Sequence, residues 1–327
     1  MATRETIPSP LFMALRAAAD SEDCVSYADF SRIALYHETE GYYRRSRPRV
    51  GKGTATDFYT SVSVGSVFGR LISEAARQLI TSSDPADYTL TEIGAEPEGG
   101  MFNGVATGFG TVKTFPLGSD FVPDDCTVIA ANEVLDAQPF HRLEFHEGSW
   151  REWGVLVTDD ELTEVPLSAL SQPVQNQLAA ELPHRMPEGY RLDISLEAES
   201  LLRSWCAGNW GGGVILIDYG KPWLELLTAT PQGSARAYYR HQQESDLLAR
   251  PGQQDLTTHV CWDRLEGVLR DAGFKVQPLE RQEAFLVKRA WAEIERVNTD
   301  QANRQQLQSL LHPGGFGAKF QVLSATR

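Results

Sequence analysis

Two short apolar runs stand out in the pattern of hydrophobic and polar positions along the chain. Residues 128–131 and 214–217 are uniformly apolar, which is typical of strands buried on both faces of a parallel sheet. Polar side chains follow each run at once: Asn132 and Glu133 follow the first, and Asp218 follows the second. Ligands of open α/β sheets bind at the carboxyl ends of the strands, so these positions are candidates for a functional site.

Helical periodicity fills much of the chain around these runs. From residue 64 to residue 79 apolar side chains recur every three or four positions, which predicts an amphipathic helix beginning near Ser61. Ser26 and Asp29 form a capping-box pattern that predicts a helix over residues 26–38. Further helices are predicted at residues 9–20, 101–106, 168–182, 195–206, 261–272 and 283–297, and further strands at residues 88–93, 111–115, 274–279 and 320–325. Strands joined by helices indicate an α/β fold.

The interval between the first two core strands is short. Residues 94–126 provide room for one strand–helix–strand crossover, which takes roughly 30 residues. We therefore expect the sheet to be truncated on this side, with the strand at residues 111–115 at or near its edge. An alternating hairpin is predicted to open an inserted segment at about residues 141–190. We expect an N-terminal helical extension, residues 1–80, packed on an α/β domain, residues 86–327.

Charge and cysteine content narrow the function classes. The formal net charge of −14 argues against a nucleic-acid or acidic-membrane partner. It suits cationic ligands or plain solubility, and charge alone does not separate these two. The four cysteines lie far apart without a CxxC pair, which predicts neither a disulfide framework nor a zinc site. A reducing compartment such as the cytoplasm is expected. The sequence shows no signal peptide and no apolar run long enough to span a membrane.

Two carboxylates after the central apolar run are the first candidates for chemistry. Glu133 and Asp136 lie three residues apart, and on a helical turn this spacing would place both on one face. Such a pair could hold a cationic side chain, with one acid binding it bidentately while the other accepts a proton. The alternative is structural: Asp136 caps a helix and Glu133 is solvated.

The turn after residues 88–93 carries a second group of polar positions. Glu92 and Gly94 end this strand, and residues 95–100 add further acids and glycines. The turn lacks the GxGxxG spacing of a dinucleotide site, and its acids would repel a pyrophosphate. These acids suit a cationic ligand better.

A third group precedes the amphipathic helix predicted from Ser61. Asp57, Thr60 and Ser61 stand where the free N–H groups of a helix N-terminus can hold a polar ligand. Capping alone would also explain Ser61.

Several short motifs occur in a fixed order over nearly the whole chain. They are GYY at residues 41–43, DFYTS at 57–61, ANEVLDAQPFH at 131–141, IDYG at 217–220, PGQQDLTTHV at 251–260 and GAKFQVL at 317–323. In this order they resemble the MidA-type family of S-adenosylmethionine-dependent methyltransferases. That family includes the mitochondrial complex I assembly factor that methylates a protein arginine.

The resemblance implies a class I methyltransferase-like, Rossmann-like sheet with helices on both faces and S-adenosylmethionine as the cofactor. It also assigns roles to the candidate residues. Glu133 and Asp136 become the catalytic candidates for gripping a guanidinium. The cofactor-binding candidates are Glu92, Gly94, Asn132, Asp57, Thr60 and Ser61.

The chain departs from the family pattern in its cofactor loop. Where the family has ExGPGxG, this chain keeps Glu92 and Gly94 but has Ala95 at the proline and Glu96 at the second glycine. The acid that ends the family's next strand and would hold the ribose has no counterpart here. We therefore expect weaker binding of S-adenosylmethionine than in a relative with an intact loop.

Three functions from different classes follow. The favoured function is a methyltransferase that acts on an arginine of a protein partner, as the complex I assembly factor of the family does. The second is a catalytically degenerate relative that serves as a partner-binding or assembly scaffold. The third, a nicotinamide oxidoreductase, lacks the GxGxxG turn that it would need. A protein substrate or assembly partner is expected in the first two cases, and a homodimer is left open.

Overall fold

The computed structural model describes residues 7–45, 61, 65–80, 83–95, 99–159, 161–312 and 314–327. Its helices are α1 (Ser9–Ala18), α2 (Tyr27–Tyr36), α3 (Ser66–Leu79), α4 (Gln172–Gln177), α5 (Leu196–Trp205), α6 (Trp223–Leu226), α7 (Trp262–Asp271), α8 (Gln282–Arg289), α9 (Trp291–Asn298) and α10 (Gln301–Leu311). Its strands are β1 (Cys24–Ser26), β2 (Thr89–Ala95), β3 (Thr111–Pro116), β4 (Cys126–Asn132), β5 (His141–His146), β6 (Ser149–Val157), β7 (Leu162–Pro166), β8 (Arg191–Ile194), β9 (Gly211–Asp218), β10 (Gly220–Lys221), β11 (Arg236–Tyr239), β12 (Gln242–Glu244), β13 (Asp255–Thr257), β14 (Val260–Cys261), β15 (Lys275–Val276), β16 (Glu280–Arg281) and β17 (Gln321–Thr326).

These elements divide between two compact units. The first unit comprises Met1–Arg47, Leu135–Ser200 and Lys221–Cys261. The second unit comprises Pro48–Val134, Leu201–Gly220 and Trp262–Arg327. The segment that the sequence suggested as a single N-terminal extension is divided by this boundary, because α1 and α2 lie in the first unit and α3 lies in the second.

The sheet of the second unit has the order β15-β17-β9-β4-β2-β3, with β16 also pairing with β17. Strands β3, β2, β4 and β9 run parallel, and β17 is antiparallel to β9. Strand β3 is the edge of this described sheet, so the predicted truncation is confirmed, as is the α/β class. Since the chain passes from β2 to β3 on one side and then to β4 on the other, the strand order switches beside β2.

Helix α3 supplies much of the core of this unit. Its apolar face packs against the sheet and against helices α8, α9 and α10. Phe68, Leu71 and Ile72 are fully buried there. Full burial of a side chain of this size contributes roughly 1.5–3 kcal/mol. The 3.6-residue period read from the sequence therefore places this helix correctly, although it begins at Ser66.

Several predicted elements of the second unit differ from the structure. Residues 101–104 form turns, so the helix predicted at 101–106 is absent. The helix predicted at 283–297 is two helices, α8 and α9, because Ala290 leaves the helical conformation at φ −126° and ψ 25°. Helix α10 was not predicted, and of the strand predicted at 274–279 only β15 forms.

The first unit contains a sheet of the order β1-β6-β5-β8, with β7 paired to β6. The predicted hairpin is β5 and β6, and its turn residues Glu147 and Gly148 have φ of 49° and 78°. Positive φ at both central positions is the geometry of a type I′ hairpin turn. Ser26 caps α2 as predicted, since the Asp29 backbone N–H donates to Ser26 Oγ at 3.0 Å. The Asp29 carboxylate accepts from the Ser26 hydroxyl at 2.7 Å, so only one half of the capping box is seen.

No helix in the described ranges is both long enough and apolar enough to cross a bilayer.

Candidate functional site

The carboxyl ends of three adjacent parallel strands meet at one edge of the second unit's sheet. Strand β4 pairs with β2 on one side and with β9 on the other. The polar residues at this edge are Glu92 on β2, Asn132 at the end of β4 and Asp218 at the end of β9, which are 2%, 8% and 1% exposed. The structure therefore brings together the strand-end groups that the sequence singled out, beside the switch in strand order.

The Glu92 carboxylate holds the turn that follows β2. Its Oε1 accepts a hydrogen bond from the Met101 backbone N–H at 2.9 Å. Its Oε2 lies under Gly100, where an added Cβ would be 2.1 Å away. Burial raises the pKa of Glu92, and backbone hydrogen bonds from the turn oppose that rise. Glu92 thus positions the turn, and a residue larger than glycine at position 100 would displace the Glu92 carboxylate.

Gly94 has a conformational requirement at the same edge. It stands at the irregularity where the pairing of β2 with β3 shifts register, and its φ is +91°. A Cβ at this position would lie 2.3 Å from Val134 Cγ2. Both the left-handed conformation and the close approach of Val134 therefore call for glycine.

Asn132 and Glu133 form a pair at the end of β4. Asn132 Nδ2 donates to Glu133 Oε1 at 3.1 Å, and the Glu133 backbone N–H donates to the Ile217 carbonyl at 2.9 Å. Glu133 has a φ of 54°, so the chain turns sharply here. Residues 132–140 contain no helix. The prediction that Glu133 and Asp136 share a helical face is therefore wrong, and so is its alternative, in which Asp136 caps a helix.

The group predicted at the N-terminus of the amphipathic helix is only partly described. Asp57 and Thr60 lie outside the described residues, as does Glu96 of the cofactor loop. Ser61 is buried, and its hydroxyl donates to Gln282 Oε1 at 3.4 Å. Because α3 begins at Ser66 after Gly65, the prediction that Ser61 starts this helix is wrong.

Asp136 belongs to the first unit and is 3% exposed. Its backbone carbonyl accepts a hydrogen bond from the Thr258 N–H at 2.9 Å. Its neighbour Ala137 accepts one from the Tyr36 hydroxyl at 2.9 Å. Tyr36 in turn stacks on Tyr43, with ring centroids 5.5 Å apart. Asp136 is therefore held among aromatic and hydroxyl side chains of its own unit.

Sequence reasoning did not select Tyr36, Tyr43 or Asp255 as site residues. Tyr43 Oη donates to Asp255 Oδ1 at 2.7 Å across 212 positions of the chain. The signal that could have found this contact was present, because GYY and PGQQDLTTHV were both recognised as motifs. Only the fold shows that the two motifs meet.

Strand β3 ends without an acid. Its last residues are Thr114, Phe115 and Pro116, and Phe115 packs edge-on against Phe121 with ring centroids 5.1 Å apart. The chain therefore presents apolar side chains where the family resemblance leads one to expect a ribose-binding carboxylate.

The groups at this edge of the sheet have the chemistry that the implied cofactor, S-adenosylmethionine, requires. Glu92 Oε2 and Asn132 Oδ1 are buried acceptors with no hydrogen-bond partner among the described residues. Glu133 adds a partly buried carboxylate beside them. S-adenosylmethionine carries an ammonium group, an amine, hydroxyl groups and a sulfonium cation, all of which match acceptor groups of negative or neutral charge. The residues present therefore fit this group.

Comparison with known proteins places the chain among methyltransferases. Residues 113–279, half of the chain, match the family described as "Putative S-adenosyl-L-methionine-dependent methyltransferase". A Caenorhabditis elegans protein named a mitochondrial protein arginine methyltransferase NDUFAF7 homolog is 28% identical and covers 62% of this chain. The corresponding Drosophila melanogaster protein is 22% identical and covers 95% of this chain. The chain spans 48% of the nematode protein's length and 83% of the fly protein's length.

Solved structures agree on the fold. A Burkholderia thailandensis protein described as a candidate methyl transferase, crystallised with S-adenosyl-homocysteine, matches 98% of this chain at 22% identity, with a TM-score of 0.85 and 95% of that protein covered. A native structure from the same superfamily and organism gives a TM-score of 0.76 at 21% identity, with 98% and 95% of the two chains covered. With the strand-end geometry and the family match together, the chain belongs to this family of S-adenosyl-L-methionine-dependent methyltransferases.

Proposed function

We propose that this chain transfers a methyl group from S-adenosylmethionine to an arginine side chain of a partner protein. One observation carries the proposal: buried acceptor groups of β2 and β4 converge at the carboxyl ends of parallel strands, beside the switch in strand order, in a member of a methyltransferase family. The arginine substrate is proposed because the curated relatives are named protein arginine methyltransferases.

The cofactor would be held at the strand ends of the second unit. Glu92 fixes the turn after β2, Gly94 lets the backbone bend there, and Asn132 offers its amide oxygen. Asp57, Thr60 and Ser61 remain proposed cofactor contacts on the resemblance alone. When bound, S-adenosylmethionine supplies an electrophilic methyl group.

The substrate poses an electrostatic problem that carboxylates solve. A guanidinium has a pKa above about 12 and is a poor nucleophile while it is protonated. A carboxylate that accepts two of its N–H groups fixes its orientation, and a carboxylate can also accept the proton that must leave. Glu133 and Asp136 remain our proposed catalytic carboxylates, and each is tested by its own variant.

The partner and the compartment are proposals of the same kind. We propose a protein partner in an assembly pathway such as that of complex I, by analogy with the mitochondrial relatives. The compartment would be the mitochondrial matrix in a eukaryote and the cytoplasm otherwise. A homodimer is compatible with this proposal and is tested by measuring the mass of the assembly in solution.

A scaffold without catalysis is the second candidate. It is favoured by one observation, the apolar end of β3 where a ribose-binding acid is expected. A protein that no longer bound the cofactor would keep the fold and its partner surfaces.

Titration of the chain with S-adenosylmethionine and with NADH separates these functions. The methyltransferase proposal expects saturable binding of S-adenosylmethionine and transfer of a labelled methyl group to arginine-containing protein. An Asn132→Ala variant is expected to bind the cofactor more weakly, whereas Asn209→Ala, at an exposed position of the same unit, is not. Absence of binding at millimolar cofactor would favour the scaffold, and binding of NADH alone would favour an oxidoreductase.

A further inference from the structure

The first unit contains a buried polar cluster of its own. We call it the tyrosine–aspartate cluster, and its members are Tyr36, Tyr43, Asp136, Asp255, Thr257 and Thr258. Tyr36 ends α2, and Asp255 and Thr257 belong to β13, which packs against α2. Asp136, Asp255, Thr257 and Thr258 are all at most 4% exposed.

Two sequence motifs build this cluster by packing on each other. After α2 the backbone folds back, so that the Tyr43 N–H donates to the Leu35 carbonyl at 2.9 Å. Gly252, with φ +76°, lies so close to this turn that an added Cβ would be 2.4 Å from the Glu40 carbonyl oxygen. The GYY and PGQQDLTTHV motifs therefore pack against each other, and this packing brings Tyr43 to Asp255.

The cluster contains two buried carboxyl groups, those of Asp136 and Asp255. Asp255 accepts hydrogen bonds from the Tyr43 hydroxyl at 2.7 Å and from the Leu256 N–H at 3.0 Å. Burial raises the pKa of both Tyr36 and Tyr43, and the charges of Asp255 and Asp136 raise it further. Arg44, an exposed residue, acts on the pKa of Tyr36 in the opposite direction and more weakly. The tyrosines therefore stay neutral, and their hydroxyl groups remain hydrogen-bond donors.

A second observation is independent of these charges. The hydroxyls of Thr257 and Thr258 are buried and have no hydrogen-bond partner among the described residues. Side chains two positions apart on a strand point to the same face, so Thr257 shares the face of β13 that carries Asp255. Buried polar atoms normally have a partner, and an unpaired one costs about 1–3 kcal/mol. A ligand that donates N–H groups would remove that cost.

The chemistry of the cluster selects one class of ligand. Carboxylates, hydroxyl oxygens and an aromatic stack suit a cation with several N–H donors. Within the described ranges no group of three or more His, Cys, Asp or Glu could hold a metal ion. A guanidinium presents five N–H donors in a plane and stacks on aromatic rings, whereas an ammonium is a point charge.

We propose that the tyrosine–aspartate cluster is the binding site for the guanidinium group of the arginine substrate, with Asp255 and Asp136 as its carboxylates and Thr257 as a hydroxyl acceptor. This inference rests on the proposed function for the identity of the substrate. In this proposal Asp136 and Asp255 bind the guanidinium together, a pairing that sequence spacing could not show. Glu133 is not needed for this step.

Binding without turnover tests the site. A peptide containing a single arginine is titrated into the full chain by calorimetry, in the absence of S-adenosylmethionine, beside the same peptide with lysine in place of arginine. The wild-type chain is expected to bind the arginine peptide at least about tenfold more tightly. Asp255→Asn keeps the size of the side chain and its acceptor for Tyr43, and it is expected to weaken arginine binding about tenfold to a hundredfold.

Controls separate binding from folding. Asp159→Asn makes the same chemical change at a side chain that is 87% exposed in the same unit, and it is expected to leave binding unchanged. Thr257→Val removes only the hydroxyl and is expected to weaken binding about twofold to tenfold with the unfolding midpoint retained. If Asp255→Asn fails to fold, the affinity of Thr257→Val for the arginine peptide tests the proposed site instead.

Two results would overturn the assignment: equal affinity of the wild-type chain for the arginine and lysine peptides, or unchanged arginine affinity in a folded Asp255→Asn or Thr257→Val variant. Failure of the proposed function gives a different result. A chain that binds the arginine peptide through Asp255 but transfers no methyl group keeps this site and loses the methyltransferase activity.

Discussion

Substitution of Gly94 by alanine tests how the cofactor edge of the sheet is built. Gly94 combines a φ of +91° with a Cβ position 2.3 Å from Val134 Cγ2. Val134 is fully buried, so it cannot swing into solvent to make room. Alanine at this position must therefore change both the backbone conformation and the packing at the end of β2.

The loss of unfolding free energy in Gly94→Ala is the sum of two separate costs. A left-handed conformation costs an L-residue about 1–2 kcal/mol. Overpacking of a buried contact costs about 1–3 kcal/mol. Gly94→Ala is therefore expected to lower the free energy of unfolding by about 2–5 kcal/mol, less the few tenths to 1 kcal/mol that alanine gains by restricting the unfolded chain. The change in backbone conformation at position 94 is also expected to displace the turn held by Glu92 and to weaken cofactor binding.

Gly208 provides a matched control in the same unit. Its φ is +82°, and an added Cβ there would meet nothing within 4 Å. Gly208→Ala therefore pays the conformational cost alone, about 1–2 kcal/mol. The packing cost at Gly94 is isolated by adding Val134→Ala, which removes the clashing methyl groups and should recover about 1–3 kcal/mol in a double-mutant cycle.

Urea unfolding of the two single variants, the double variant and the Gly208→Ala control measures these terms. Calorimetry with S-adenosylmethionine supplies the functional readout. Equal destabilisation by Gly94→Ala and Gly208→Ala, or additive effects of Gly94→Ala and Val134→Ala, would refute the reasoning from Val134.

Three further predictions follow from other parts of the molecule. Glu133→Gln and Asp136→Asn keep side-chain size while removing charge, so methyl transfer to an arginine-bearing protein should fall by orders of magnitude while the melting temperature barely moves. Intact turnover in both variants would make these acids structural. S-adenosylmethionine should bind about 10- to 100-fold more weakly than in a relative with an acid after the strand equivalent to β3, and low-micromolar affinity by calorimetry would contradict this. Burial lowers the pKa of His259 from 6.5 to about 4. The unfolded chain therefore binds a proton at His259 more tightly than the folded chain does, and the stability that His259 contributes is lost as the pH falls from about 6.5 towards 4. The variant His259→Gln should therefore show a flatter pH dependence of the urea midpoint in this range.

Chain length and local periodicity predicted the frame of the second unit. The short interval 94–126 placed β3 at the sheet edge, because a parallel strand needs a crossover and only one would fit. Uniform apolar runs identified β4 and β9, since strands buried on both faces leave no polar alternation. These features depend on a few neighbouring residues and on chain length, which a sequence states directly.

Features that depend on single backbone angles were missed. The spacing of Glu133 and Asp136 suggested a helical turn, but Glu133 adopts a φ of 54° while its N–H continues the pairing with β9. Ala290 divides the helix predicted at residues 283–297, although alanine is the best helix former. Tertiary pairing decides the first case, and the break at Ala290 leaves no local pattern in the sequence.

Long-range contacts were the other limit for the candidate site. The Tyr43–Asp255 hydrogen bond joins residues 212 positions apart, and it depends on the close approach of Gly252 to the turn after α2. The sequence supplied both motifs without their contact. The apolar run placed Asn132 at the end of β4, whereas Glu92 lies within β2, which continues to Ala95.

Tandem mass spectrometry of an arginine-containing peptide, incubated with the chain and S-adenosylmethionine, tests the central claim most directly. The account predicts methyl groups on a guanidino nitrogen of the arginine, formed by the wild-type chain and strongly reduced by Asp136→Asn. The lysine form of the peptide should remain unmodified. An arginine peptide that stays unmethylated while S-adenosylmethionine binds, or methylation that is unaffected by Asp136→Asn in a folded protein, would contradict the account.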